Sequence, residues 1–251
     1  MLPKTTMTIL ALLVVASVSI NEGNAGNAGN RTNGCPPEAR ILEVGEFHGD
    51  EVKAQTGEKW LGLHISGGES MLLNYQLSVE AVHDQIVDEP DQPDQKTGKK
   101  VSVDLPLEPI FLVDADWIRP GPVQTLFKGN YEKSLERGST ITLNLVDASY
   151  ELKVISTEEG DKCPNAALPK NAMLVLASEG YTQVLYTLDE CGNDPGWFLI
   201  WAGDLDGDGK LDLYLSVNQH YNVAEKKLFL SSQAGKKRLV EEVAEFVTSG
   251  C

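Results

Sequence analysis

The sequence predicts a mainly β protein built from antiparallel sheets, sandwich or barrel-like, and three observations carry that expectation. Between residues 40 and 155, and again between 173 and 231, short apolar runs recur with turn residues between them. Several runs alternate apolar and polar side chains, the period-two pattern of a half-buried strand, while long 3.6-residue periodicities are few. Residues 197–217 add a hairpin signature, two strand-like runs joined by an acidic loop punctuated by Gly207 and Gly209.

The chain opens with one positive charge, Lys4, ahead of the apolar run 9–20 with small residues near its end. That is the pattern of a secretory signal peptide, assigned to residues 1–25, with small residues near Ser19 and Ala25 offering two cleavage points. The apolar run is about twelve residues against the roughly 20 that a membrane-spanning helix needs, so no stable membrane insertion is expected. The product would be periplasmic or secreted. Residues 26–34 continue a Gly-Asn-Ala echo too small and polar to pack and read as a flexible spacer.

Strands are expected at 40–44, at 59–65 running into the turn Ser66-Gly-Gly-Glu69, and at 72–79, where Leu73, Tyr75, Leu77 and Val79 share one face. Residues 88–100 hold no apolar side chain apart from proline and read as a solvated loop outside the core; their proline spacing stiffens the chain outward rather than curling it around an ion. An inner strand follows at 109–113, Pro120-Gly-Pro122 marks a turn or edge crossing, and 123–127 is one more strand. The clearest hairpin of this half pairs 140–146, with Ile141, Leu143 and Leu145 alternating, with 150–155.

A composition break at 156–171 separates an N-terminal β region, 35–157, from a C-terminal one, 158–251. Composition does not choose between one large β domain and two small ones. In the second region, 173–178 and 181–188 join through Glu179-Gly180, and 197–201 is apolar on both sides, as a strand in the middle of a sheet should be, with Trp197, Leu199 and Trp201 on one face. Residues 239–247 fit either a helical face or a strand. Cys35, Cys163, Cys191 and Cys251 make an even count in a chain with an export signal, which argues for two disulfides. Three pairings are possible; Cys163 with Cys191 and Cys35 with Cys251 is preferred, since the first brackets a hairpin and the second ties the two ends.

The loop at 204–212 concentrates the chemistry. Asp204, Asp206, Asp208 and Asp212 lie within nine residues, and hard oxygen ligands on alternate residues can converge on one cation where glycine lets the backbone curl. Two carboxylates about 5 Å apart at an effective dielectric of about 20 repel by roughly 3 kcal/mol, so an empty loop of this kind opposes its own closure. The outgoing segment is a strand, with Leu211, Leu213, Leu215 and Val217 alternating, and Leu215 stands where an EF-hand would place its bidentate Glu.

Asp-x-Asp-x-Asp-Gly-x-x-Asp between two strands resembles the calcium loops of FG-GAP-type repeats, found in the integrin α-chain propeller and in many secreted bacterial proteins. The resemblance covers 204–212 only. It implies Ca²⁺ as the cofactor, with side-chain oxygens from Asp204, Asp206, Asp208 and Asp212, the main-chain carbonyl of Lys210, and Gly209 at the sharp turn. A propeller repeats its blade and this chain shows one loop, so a full propeller is excluded. The layout around that loop also resembles a group of exported bacterial proteins, which brings no activity with it.

A net charge of -16 with only Lys236-Lys-Arg238 clustered speaks against nucleic acid as a partner. No Gly-x-Ser-x-Gly or His-Glu-x-x-His occurs, and His48, His64, His83 and His220 are scattered. The function expected is a non-catalytic calcium-binding module whose ion stiffens a scaffold that presents loops to a protein or glycan. The alternative is a calcium-dependent hydrolase acting outside the cytoplasm, with Glu43, Glu46 or Asp50 beside His48, or with His220. A concave pocket joining either histidine to two carboxylates would distinguish the two.

Overall fold

Strands with one or two apolar faces must stack to bury them, and the described residues do so in three antiparallel sheets. The computed structural model describes residues 39–129, 134–156, 163 and 168–250; among these every regular element is a strand, and none is a helix. The signal peptide and spacer expected at 1–34, together with Cys35 and Cys251, lie outside the described residues.

The first sheet has seven strands: β1 (Arg40–Leu42), β2 (Gly45–Phe47), β3 (Lys59–Ser66), β4 (Glu69–Val82), β5 (Gly98–Val103), β6 (Leu112–Asp114) and β7 (Gly121–Pro122). Its order is β1-β6-β3-β4-β5-β2, with β7 on β4, so β1 and β2 stand at opposite ends. Only Glu43 and Val44 separate those two strands in sequence, a reach of about 11 Å at most. The sheet therefore curls until its two ends nearly meet, a half-barrel. The long β4 makes the curl possible by pairing with β3 along its first half and with β5 along its second. The expected turn 120–122 proves to be an edge crossing, with Pro122 opposite Met71. Proline is tolerated there because an edge position leaves its missing donor unneeded.

The second sheet runs β8 (Gln124–Lys128), β13 (Gly196–Asp204), β14 (Asp212–Asn218), β15 (Val223–Leu230) and β16 (Glu241–Ser249). Within the ambiguous stretch 239–247, residues 241–247 fall in a strand, because they pair with β15, with one register shift between Leu228 and Phe229. The third sheet is β9 (Thr140–Asn144), β10 (Ser149–Ile155), β11 (Met173–Ser178) and β12 (Tyr181–Thr187), ordered 12-11-10-9. Its β11–β12 turn is the expected Glu179-Gly180, both at positive φ (48° and 82°).

The five-stranded sheet is apolar on both faces and fills the middle. One face, with Trp201, Tyr214, Leu228, Leu230 and Phe246, packs against the half-barrel's Trp60, Leu63, Tyr75, Leu77 and Phe111. The other, with Trp197, Leu199, Leu213, Leu215 and Phe229, packs against Tyr150, Leu152, Leu174 and Leu176 of the four-stranded sheet. Residues on either side of the 156–171 break share both cores, and the described residues form one compact unit.

Two expectations need correction. Trp201 does not share a face with Trp197 and Leu199: the register slips at Ile200, where Leu199 opposes Leu215 and Trp201 opposes Tyr214, and this β-bulge turns Trp201 to the half-barrel side. Residues 88–100 are not wholly solvated either. Asp88 is 4% exposed, and 98–100 belong to β5.

Cys163 and Cys191 are bonded, with Cα atoms 5.3 Å apart across 28 residues of sequence. A loop of that length gives about 3 to 4 kcal/mol on the chain-entropy account. A bond of this kind belongs to an oxidising environment. No helix among the described residues is long and apolar enough to cross a membrane.

Candidate metal centre

β13 and β14 are neighbours in the buried central sheet, and the loop between them starts at Asp204 and ends at Asp212, which opposes Gly203 in the register. Gly203 is obligatory for the approach of β8 to this end of β13, since a Cβ there would lie 2.1 Å from the carbonyl oxygen of Gln124. Beyond it the chain curls through Gly207 and Gly209, at φ of 78° and 79°, conformations that side-chain-bearing residues rarely adopt.

Asp204 organises the curl. Its Oδ1 accepts the amides of Gly207 (2.8 Å) and Asp208 (3.1 Å), and its Oδ2 accepts that of Gly209 (2.9 Å). Asp208 Oδ1 in turn accepts the amide of Lys210 at 2.9 Å. The outcome is a convergence: one carboxylate oxygen from each of Asp204, Asp206 and Asp208 lies within 4.8 Å of the others, a group that could hold a metal ion. Lys210, expected to offer its carbonyl, sits in the same curl.

Asp212 is placed differently. It is fully buried (0% exposed), and it joins the two hairpins of the sheet: Oδ2 accepts the amide of Leu205 (2.7 Å) and Oδ1 that of Ser231 (2.8 Å). The structure thus brings Asp204, Asp206 and Asp208 together and sets Asp212 beneath them as a pin, linked to Asp208 by the Ser231 hydroxyl, which lies 3.0 Å from Asp208 Oδ1 and 3.1 Å from Asp212 Oδ1. Ser232 donates its hydroxyl to Asp206 Oδ2. The other oxygen, Asp206 Oδ1, is buried without a hydrogen-bond partner.

Ser231 and Ser232 were not legible as site residues. They follow β15, far from the loop in sequence, and a Ser-Ser pair after an apolar strand carries no spacing signal.

The electrostatics reflect crowding. Burial, reinforced by the neighbouring charges of Asp208 and Asp204, raises the Asp206 carboxyl above the ordinary range. Burial also pushes Asp212 up to about 8, with the Asp206 charge adding to it and the Ser231 and Leu205 amides opposing it. A divalent cation among these carboxylates would reverse the balance, since an opposite charge within about 4–6 Å favours the ionised form.

The residues of the hydrolase alternative are spread over separate contacts. His48 Nδ1 lies 2.5 Å from Asp84 Oδ2, a partner the sequence reading did not propose. Glu43 accepts from Tyr214 and Lys226, tying the half-barrel to the central sheet, and Glu46 pairs with Lys100 at 3.0 Å. The Asp50 carbonyl accepts from Lys53, and His220 stacks on Tyr221 with its Nε2 3.2 Å from Asn193 Nδ2. A groove of about 460 Å³ runs between β1 and β16, and a second of about 270 Å³ lies beside Glu43 and Glu108; neither is lined by a histidine.

No protein-family model, curated protein or solved structure matches this chain.

Proposed function

We propose that this chain is an exported β-sheet protein whose 204–212 loop binds one Ca²⁺ ion, that the ion is structural, and that the protein acts as a non-catalytic module presenting its loops to a protein or glycan partner. The observation that carries the reading is the convergence of Asp204, Asp206 and Asp208 within 4.8 Å, with Asp206 Oδ1 buried and unpartnered among them. An all-oxygen donor set suits a hard cation. The Lys210 carbonyl completes the set by resemblance to FG-GAP-type loops, and Asp212 contributes either an oxygen or the charge beneath the ion.

The preference for Ca²⁺ over Mg²⁺ follows from size. A loop already crowded with amide donors meets the longer, irregular coordination of calcium more readily than the strict octahedron of magnesium, which keeps several waters. A structural role is supported by the position of the loop, which joins two strands of the buried sheet and is tied through Ser231 to a third. Export is supported by the signal pattern in residues 1–25 and by the Cys163–Cys191 bond.

Titration calorimetry on the mature protein tests the assignment. The expected result is one calcium site with a dissociation constant on the order of 10⁻⁴ to 10⁻³ M, typical of extracellular modules, and a weaker response to magnesium. No calcium heat, or equal heats for both ions, overturns it.

A further inference from the structure

Away from the metal centre, two more buried carboxylates serve a single excursion of chain. β4 ends at Val82, β5 begins at Gly98, and the loop between them carries Glu89, Asp91 and Asp94 in solvent. Asp88 closes its base, accepting the amides of Asp84 (2.8 Å) and Thr97 (3.0 Å) and the Thr97 hydroxyl (2.5 Å). Asp84 faces two ways. Its Oδ1 accepts the amides of Ile86 (3.0 Å) and Val87 (3.2 Å), and its Oδ2 meets Nδ1 of His48 at 2.5 Å.

His48 belongs to the turn that follows β2. Gly49 lets that turn lie against the loop, since a Cβ there would come within 2.0 Å of the Thr97 carbonyl oxygen. The His48–Asp84 contact is therefore a side-chain link between segments 36 residues apart, made by an Asp that is only 7% exposed.

We infer that His48 and Asp84 form a proton-operated clasp that holds the 84–97 loop against the 48–52 turn, tight when the imidazole is charged and looser when it is neutral. An imidazolium donating to a buried carboxylate makes a charge-assisted bond, roughly twice as strong as its neutral counterpart. The surroundings favour the charged form. Asp84 approaches from the loop and Glu51 and Asp50 from the turn itself; nearby, His83 lies 3.7 Å from Asp88, and Lys99 of β5 has its Nζ held by the Val52 carbonyl at 2.7 Å. The bond to Asp84, foremost, raises His48 above its ordinary 6.5 against the opposing effect of burial. Since the folded value is raised, the clasp contributes fully below about 6.5 and is lost as pH rises through the folded value. What it releases is specific: Asp84 holds the amides of Ile86 and Val87, whose side chains are 58% and 57% exposed. These two aliphatic residues are the segment that loosening sets free.

NMR on the whole mature protein tests the clasp by following the His48 ring resonances and the hydrogen exchange of the Ile86, Val87 and Thr97 amides, corrected for intrinsic rates, between about pH 5.5 and 8.5. Protection is expected to fall on the order of tenfold, with a midpoint that tracks the His48 titration. His48→Gln should abolish that dependence, and His83→Gln should leave the midpoint in place. Protection that stays flat in the wild type, or that keeps the same pH dependence in His48→Gln, overturns the clasp.

Discussion

The protein carries two acidic loops that bury carboxylates, 84–97 and 204–212, and they handle charge in opposite ways. In the first, each buried oxygen is met by protein donors. Asp88 receives two amides and a hydroxyl, and Asp84 two amides and an imidazole; hydrogen bonding outweighs burial, and both carboxyls are held below the ordinary range. In the second, most of the amides go to Asp204 and Asp212 and one to Asp208, while the charges of Asp206 and its neighbours face one another and Asp206 Oδ1 has no hydrogen-bond partner. There burial and like charge win, and Asp206 and Asp212 are raised. Donors hold a buried carboxylate ionised where no acid crowds it, whereas Asp212, with donors but beside Asp206, is raised, and such crowded carboxylates are incomplete without a cation.

The contrast can be broken most forcefully at Asp212. Asp212→Ala removes the acceptor for the Leu205 and Ser231 amides and leaves both buried donors unmet. At about 1 to 3 kcal/mol for each, the expected loss is about 3 kcal/mol or more by urea denaturation in saturating calcium. A loss under about 0.5 kcal/mol, the scale of an ordinary surface substitution, would show that Asp212 is no pin.

A slightly smaller effect should separate the loops by ligand. At about 100 times its dissociation constant, a cation bound only to the folded state adds roughly 2.7 kcal/mol. Calcium should therefore raise the melting temperature of the wild type. The double substitution Asp206→Ala with Asp208→Ala should abolish the rise, while Asp84→Asn should retain it. If the double variant in saturating calcium melts like wild type yet loses partner binding, the ion serves function directly and the structural assignment fails.

A third test uses pH, read as a slope per pH unit. Because the folded-state values of Asp206 and Asp212 are raised, the calcium-free protein holds protons that the unfolded chain releases. From these two groups stability should fall as pH rises from about 4 toward about 8, by at most about 1.4 kcal/mol per pH unit for each proton. Asp84 and Asp88 act with the opposite sign, contributing above the unfolded value and losing that contribution as pH falls through their lowered folded values. Chemical denaturation with and without calcium checks this, and the decline toward alkaline pH should flatten when calcium is bound. A decline of the same slope in saturating calcium would assign it to other groups.

Local pattern by itself determined many of the strands and the acidic curl. The alternation of Ile141, Leu143 and Leu145 and the Glu179-Gly180 turn marked a hairpin and a connection because side-chain period and positive φ are local properties. The spacing of Asp204, Asp206 and Asp208 around Gly207 and Gly209 marked a convergence that the structure forms within one loop. Tertiary structure decided the rest. Ser231 and Ser232 reach the loop only because β15 lies beside β14, and Trp201 changes face only because a bulge absorbs Ile200. Asp88 looked solvated amid prolines and charges, but its burial depends on Thr97 and Asp84 folding back over it. Spacing along a chain fixes which groups a backbone can curl together, while the donors that answer a buried charge are supplied by whichever strand the sheet order places alongside.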